Sequence, residues 1–334
     1  MKRYGHLIER IADYDNLALA FYKAQRGKKA QKEVIDYRKN INNNLKVLSE
    51  RILLGDVDVG HYQKFIIIDP KKREICAAAF DERVLHHAIM NVCQPIFERN
   101  LIYDTYATRV GKGVYAALER TKYGMSNYNY VAKMDVRKYF DSISHEILEK
   151  LLHKIFKDKI LIVVFSKIID SYHTENGHGV PIGNLTSQYF ANYYLSGLDH
   201  YAKEILSIPL FIRYMDDILV FGENKVDVVF YAEKIIEYAN NNLKLQFKPP
   251  IVMSTSQSVS FLGYKHANHI VMLNGRSKKR FCRKMIVYDN LLKNDIWDGK
   301  EYLEHITPLL AFTEWSYSKC YRRRIIKFSE GQEL

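Results

Sequence analysis

Cysteine is scarce. The four in 334 residues, Cys76, Cys93, Cys282 and Cys320, include no Cys-x-x-Cys pair. Their scatter argues against a disulfide framework and a cysteine zinc site, and fits a reducing compartment. Long apolar runs are also missing. The longest, Ile160 to Phe165, sits between Lys159 and Lys167 and is too short to span a bilayer. The opening Met1-Lys2-Arg3-Tyr4-Gly5-His6 leads into a mixed polar helix pattern without the apolar centre of a signal peptide. The expectation is a cytoplasmic protein with no membrane association. Acid is in deficit: 38 Asp and Glu against 50 Lys and Arg leave a formal charge of +12. Such an excess favours a polyanionic partner, nucleic acid first, because neutralising phosphates releases counterions. There is no internal repeat, low-complexity segment or long linker, so the chain reads as one body of packed subdomains.

Taken in order, apolar residues at helical spacing predict helices over about 6–26 and 28–54, the second strongly basic on one side. Residues 65–75 read as a hairpin turning at Pro70 and Lys71, with cations at its tip. A helix follows from Asp81 to about Glu98, with His86 and His87 read as packing residues. The loop Asp104 to Gly113 precedes a helix to about Lys122. The loop Ser171 to Gly179 carries His173, Glu175 and His178, a spacing too unspecific to require a metal. Val180-Pro181-Ile182-Gly183 leads into another helix, its proline and glycine allowing backbone to approach a ligand closely. An amphipathic helix over 226–243, a short strand over 245–248 and a strand pair over 259–265 follow. Lys278, Lys279, Arg280, Arg283 and Lys284, and then Arg322, Arg323 and Arg324, lie on predicted helices with aromatics among them. That mixture suits gripping a nucleic-acid backbone better than a merely solvated face.

The chain is organised around Phe211-Ile212-Arg213-Tyr214-Met215-Asp216-Asp217-Ile218-Leu219-Val220-Phe221. Two runs of β-branched and aromatic residues flank a polar pair, which predicts a β-hairpin with Asp216 and Asp217 at its tip. Taken by itself the pair also reads as a solvated surface turn. Adjacent carboxylates on apolar strands repel unless a cation neutralises them, and hard oxygen ligands suit Mg²⁺. A second apolar strand, Tyr130-Val131-Ala132-Lys133-Met134-Asp135, also ends in a carboxylate. Phosphoryl transfer to a sugar hydroxyl uses two metal ions about 3.5–4 Å apart, bridged by carboxylates from separate strands. Asp135 and Asp216 meet that demand.

These segments together resemble a reverse transcriptase. Tyr214-Met215-Asp216-Asp217 matches the family's Tyr-x-Asp-Asp signature, and Lys133-Met134-Asp135-Val136-Arg137-Lys138-Tyr139-Phe140 matches the motif with its first catalytic aspartate. The 71–73 fingertip, the 109–113 loop, 180–188, Lys248 and 261–264 follow the family order, so the likeness covers roughly residues 60–270. It implies an α+β right-hand polymerase. The fingers would be residues 1–108 and 143–183 with the N-terminal helices, the palm 109–142 and 184–268, and the helical thumb 269–334. It also implies roles. Asp135, Asp216 and Asp217, with Val136, would hold two Mg²⁺ ions, for which Mn²⁺ is a substitute. Lys71, Arg73, Arg137, Lys138, Tyr139, Ile182 and Gly183 would bind the dNTP. Phe140 resembles the steric gate against a 2′-hydroxyl, and Lys248 the lysine that protonates pyrophosphate. Phe261, Leu262, Gly263 and Tyr264 resemble the primer grip, while Arg109 and the thumb cations would contact template RNA and primer or cDNA.

One departure points to a subfamily. Many reverse transcriptases have Gln-Gly where this chain has Ile182-Gly183, and Ser-Pro where it has Ser187-Gln188. Ile-Gly-x-x-x-Ser-Gln resembles the enzymes of bacterial diversity-generating retroelements, which copy RNA with frequent errors at adenines and use a small accessory protein. An apolar Ile182 removes a polar contact that would discriminate sharply between nucleotides. No RNase H, endonuclease or maturase segment is expected after the thumb. The alternatives are a retron or group II intron-like reverse transcriptase and, from another class, a non-catalytic nucleic-acid-binding scaffold that keeps the palm as architecture.

Overall fold

Asp13 sets the first boundary. Its extended backbone (φ −58°, ψ 138°) and its carboxylate, which accepts from the amides of Asp15 and Asn16, end α1 (Ile8–Ala12) and cap α2 (Tyr14–Ala24). The single helix expected over 6–26 is therefore two. Asn40 likewise divides the one expected over 28–54 into α3 (Lys32–Lys39) and α4 (Ile41–Leu54), which closes on left-handed Gly55. The computed structural model describes residues 3–68, 72–267 and 270–329. They form α helices and three sheets, in two compact units.

The first unit takes in residues 1–109, 135–207 and 233–248. After α4 come β1 (Tyr62–Ile68) and β2 (Lys72–Ala78), an antiparallel ribbon in which Ile68 faces Lys72. Next is α5 (Phe80–Arg99), which packs against α2. Residues 135–207 supply α7 (His145–Ile155), α8 (Lys159–Asp170), α9 (Leu185–Tyr194), which also packs on α5, and α10 (Ser196–His200), continued by a π-helical turn. Ile11, Leu17, Val34, Leu45, Ile52, Leu148 and Leu161 are fully buried in this unit. Each such side chain contributes about 1.5–3 kcal/mol.

The second unit takes in residues 110–134, 208–232 and 249–334. Here α6 (Val114–Asn127) leads to β3 (Tyr130–Asp135), whose last residue falls to the first unit. The strands β4 (Leu210–Tyr214), β5 (Asp217–Gly222) and β6 (Ile251–Ser254) join β3 in the order β4-β5-β3-β6. Helix α11 (Lys225–Leu243) runs across the division. A second sheet is built from β7 (Val259–Phe261), β8 (Tyr264–Ala267) and β9 (Ile270–Leu273). Three helices end the chain, α12 (Gly275–Lys293), α13 (Gly299–Glu314) and α14 (Lys319–Ser329), around Phe281, Met285, Ile306, Leu309 and Ile325. The four thiols divide by burial: Cys76 and Cys93 are buried, Cys282 is half-buried and Cys320 on α14 is exposed. Among the described residues no helix is long and apolar enough to cross a membrane.

Candidate functional site

In the second unit the expected hairpin is β4 and β5, tighter than the sequence suggested. Tyr214 pairs with Asp217, leaving Met215-Asp216 as a two-residue turn. Such turns need positive φ, and Met215 supplies it at 56°. A left-handed conformation costs an L-residue roughly 1–2 kcal/mol. The turn is clamped from below: Arg213 is fully buried and its Nη1 donates to the Met215 carbonyl at 3.0 Å. Ile212, Ile218, Leu219 and Val220 are buried along the strands, whereas Tyr214, Asp216 and Asp217 are half-buried at the tip. Burial raises the Tyr214 hydroxyl above its ordinary pKa. The strand next to β5 in the sheet is β3, which ends at Asp135.

In the first unit Asp135 opens a segment laid antiparallel to 246–248. Val136 bridges Phe247, the Lys248 amide donates to the Asp135 carbonyl at 2.9 Å, and the Arg137 amide donates to the Gln246 carbonyl at 2.7 Å. The short strand expected over 245–248 is this single bridge. It brings the Lys248 ammonium onto the Asp135 carboxylate as a hydrogen-bonded ion pair. Val136 is buried, so its carbonyl oxygen is the only ligand it has to offer. Beyond Lys138 the chain makes a 3₁₀ turn over Tyr139–Ser142. Tyr139 turns inward and its hydroxyl donates to the Ala191 carbonyl, which leaves Phe140 half-exposed beside it. The Phe140 carbonyl accepts from the Val180 amide at 2.9 Å.

The Ile182-Gly183 turn is fastened to β2, because the Cys76 amide donates to the Ile182 carbonyl at 2.8 Å. Gly183 has φ 125°, and a Cβ there would lie 2.9 Å from the Cys76 carbonyl oxygen. Only glycine fits so close an approach. Arg73 stands exposed on β2; Lys71 lies outside the described residues. Below this turn is a network that sequence reasoning missed. Glu82 accepts from the Gly60 amide at 3.0 Å, His86 Nε2 meets Glu82 Oε1 at 3.2 Å, and His86 Nδ1 meets Thr186 Oγ1 at 3.0 Å. All three side chains are buried. The four-residue spacing of Glu82 and His86 was its only local signal.

With this geometry in hand, residues 69–266, more than half the chain, match the family model for reverse transcriptase (RNA-dependent DNA polymerase). The chain belongs to the reverse transcriptase family. Among curated relatives, Protein YkfC of Escherichia coli is 26% identical over 172 residues, 46% of this chain and 45% of that protein. The group II intron-encoded protein LtrA of Lactococcus lactis is 20% identical over 266 residues, 72% of this chain and 44% of LtrA. The chain thus spans less than half the length of each. Among solved structures, apo telomerase from Candida tropicalis superposes with a TM-score of 0.50 at 13% identity, covering 68% of this chain and 52% of that one. That likeness is one of fold, an α+β fold of the right-hand polymerase class.

The remaining expected site residues of this family member sort by exposure. Phe261 and Tyr264 are buried, Tyr264 donating to the Phe312 carbonyl at 2.6 Å, so the turn Leu262-Gly263 (φ 48° and 90°) is what they hold in place. On α12 and α14, Lys279, Arg280, Arg283, Arg323 and Arg324 are exposed, and Lys278, Lys284 and Arg322 half-buried. Arg322 donates to Thr313 Oγ1 at 3.1 Å and the Lys278 ammonium lies 5.6 Å from the Tyr321 ring centroid, both internal to the terminal helices. Arg109 Nη1 donates to the Ile102 carbonyl at 2.7 Å and to Thr105 Oγ1 at 2.6 Å, which folds its own loop.

Proposed function

We propose that the chain is a Mg²⁺-dependent RNA-directed DNA polymerase of the diversity-generating retroelement type. The observation that carries the catalytic part is the Asp216-Asp217 tip on β5, whose sheet neighbour β3 ends at Asp135. Mg²⁺ takes one or two carboxylates and completes its shell with water and substrate phosphates. Asp135, Asp216, Asp217 and the Val136 carbonyl would hold two ions, which supply a more nucleophilic primer 3′-hydroxyl and charge neutralisation at the triphosphate.

The chain's own side chains do the rest. Arg73 and Lys71 hold the triphosphate from the fingers, Phe140 closes the space a 2′-hydroxyl would need, and Ile182-Gly183 forms an apolar floor under the nascent pair. The Lys248 ammonium gives a proton to the leaving pyrophosphate oxygen, and the ion pair with Asp135 orients it. Residues 261–264 support the primer end, and the cations of α12 and α14 follow the backbone of template and primer. In this reading 1–108 and 143–183 are fingers, 109–142 and 184–268 palm, and 269–334 thumb.

The subtype rests on Ile182, where a hydrogen-bonding amide would discriminate more sharply. A small accessory protein belongs to it. The competing subtype is group II intron-like, favoured by the alignment with LtrA over 72% of the chain. The test is extension of a primer on RNA with each dNTP omitted in turn. Mg²⁺-dependent cDNA synthesis lost in Asp216→Asn is expected, with misincorporation concentrated opposite adenine and reduced in Ile182→Gln. Extension that survives Asp216→Asn overturns the polymerase assignment and favours the scaffold. An unchanged error spectrum in Ile182→Gln removes the subtype alone.

A further inference from the structure

In the second unit α6, β9 and the turn between α13 and α14 border a small open pocket of about 220 Å³, lined by Glu119, Lys122, Ile270, Val271, Trp315 and Tyr317. Sites for drug-sized ligands run to roughly 300–1,000 Å³, so this volume admits one ring system and little more. Its two aromatic walls are held in place separately. Trp315 packs on Tyr115, with ring centroids 5.9 Å apart, and edge-on to Tyr264 at 5.5 Å, and Tyr264 is itself fixed by its bond to the Phe312 carbonyl. Tyr317 is 84% exposed, yet its backbone is pinned, because its amide donates to the Val271 carbonyl at 2.7 Å. On either side of it Ser316 and Ser318 are buried and hydrogen-bonded to each other at 2.8 Å, and Ser316 Oγ donates to the Thr313 carbonyl at 3.0 Å.

A rigid turn that holds a tyrosine almost wholly in water gains nothing from burying it. Among the described residues Trp315 and Tyr317 make no ring contact with each other, although both line the pocket, so a flat group can lie against both. Stacking on aromatic faces is how unpaired bases are held. The polar walls choose among the bases. Glu119 offers only acceptors and Lys122 only donors, and neither forms an ion pair with a described residue. Guanine alone sets two adjacent N–H donors on its pairing edge, at N1 and N2, beside acceptors at O6 and N7. Adenine and cytosine turn a ring acceptor toward such a carboxylate, and uracil offers one donor between two carbonyl oxygens. Lys122 is the single cation lining the pocket, too little charge for a free triphosphate, whereas the formal charge of +12 on the chain favours a polyanionic strand.

We propose that this pocket binds one unpaired guanine of a single-stranded nucleic acid, stacked on Trp315 and Tyr317 over the apolar Ile270 and Val271 and read at its edge by Glu119 and Lys122. A guanine held there lies outside the copied base pairs, because its pairing edge is occupied. The site therefore anchors a strand at a chosen position in its sequence. This goes beyond the polymerase reading, and none of the six lining residues is assigned to catalysis or to the dNTP, so the two can fail separately.

The chain has two tryptophans, so in the full chain carrying Trp297→Phe the emission of Trp315 reports on the pocket alone. It is titrated, without Mg²⁺ or dNTP, with uridine hexamers carrying one guanosine or one adenosine, and with their deoxy counterparts. Expected is saturable quenching, about tenfold tighter for the guanosine hexamer than for the adenosine one. Tyr317→Ala, which truncates an exposed ring and leaves the core intact, weakens the guanosine hexamer about tenfold. Glu119→Gln, which turns one acceptor into a donor, removes the preference for guanine. Binding by either sugar type upholds the pocket, and the tighter of the two names the source as RNA or DNA. Equal quenching by the guanosine and adenosine hexamers overturns the proposal, as does an unchanged preference in Glu119→Gln or an unchanged affinity in Tyr317→Ala. Quenching by an oligoproline peptide and by neither hexamer also overturns it, and assigns the aromatic pair to a protein partner. Primer extension by a chain that ignores guanosine sinks the pocket and leaves the polymerase reading standing; guanosine binding by a chain that extends no primer does the reverse.

Discussion

Arg213 Nη1 donates to the carbonyl oxygen of Met215 from a fully buried position, 3.0 Å away. A charged group is thus held beneath the turn that presents Asp216, and the turn depends on it because Met215 is left-handed. Removing the Arg213 side chain leaves the Met215 carbonyl without its charged donor, at about 1–3 kcal/mol. Arg213→Ala is expected to lower the unfolding free energy by that amount in urea titration and to lower primer extension with it. Unchanged stability would show that the clamp is dispensable.

Gly183→Ala should fail for two reasons that add. The backbone at φ 125° disfavours any Cβ, and that Cβ would sit 2.9 Å from the Cys76 carbonyl oxygen. A shift of the 182–183 turn breaks the Cys76 to Ile182 hydrogen bond, so β2 and the turn part company. The expected cost is about 1–3 kcal/mol, together with a raised KM for dNTP in steady-state extension.

Phe140 stands half-exposed because its neighbour Tyr139 is anchored inward on Ala191. Phe140→Ala removes the ring without disturbing that anchor. Discrimination against ribonucleotides, read as the ratio of kcat/KM for dNTP over rNTP, should fall by a factor on the order of 10–200, the range for apolar size exclusion. Tyr139→Phe should instead destabilise the chain by about 1 kcal/mol without changing the ratio.

Acid should weaken the second unit through His266. The ring is buried, neither nitrogen has a hydrogen-bond partner among the described residues, and its pKa is lowered to about 4 by burial first and Lys122 second. Its unfolded value is near 6.5, so between the two the unfolded chain binds the extra proton. The stability is complete above about pH 6.5 and is lost progressively as pH falls toward 4, by about 3 kcal/mol in all. Urea titrations across this range should show that slope in the wild type and a flatter one in His266→Leu. His87, also lowered to about 4 by burial, adds to the same limb from the first unit.

Much of this was legible locally. The hairpin over 211–221 was marked by apolar β-formers around a polar pair, and the 262–263 turn by its glycine. Both depend on residues close in sequence. The divisions at Asp13 and Asn40 were hidden because apolar spacing continues across them, whereas a capping carboxylate at Asp13 and one non-helical residue at Asn40 decide the breaks. Strand β6 is only four residues long and exists by pairing with β3, a partner more than a hundred residues earlier. Glu82 and His86 looked like ordinary helix residues because the group that explains their burial, Thr186, arrives with α9. Arg213 sits in an apolar strand, and nothing nearby announces that its charge faces inward. The Asp135–Lys248 pair was expected only through resemblance, since their antiparallel contact is set by the fold.

The distribution of thiols has a practical corollary. Thiolate is the species that reacts with maleimides, and burial pushes the Cys76 and Cys93 thiols up. Cys320 alone is exposed, on the last helix, and Cys282 is half-covered on α12. A Cys282→Ser chain therefore offers a single attachment point for a fluorophore, on the very helices assigned to grip the duplex. Dye emission at Cys320 can follow template engagement in real time without any engineered cysteine.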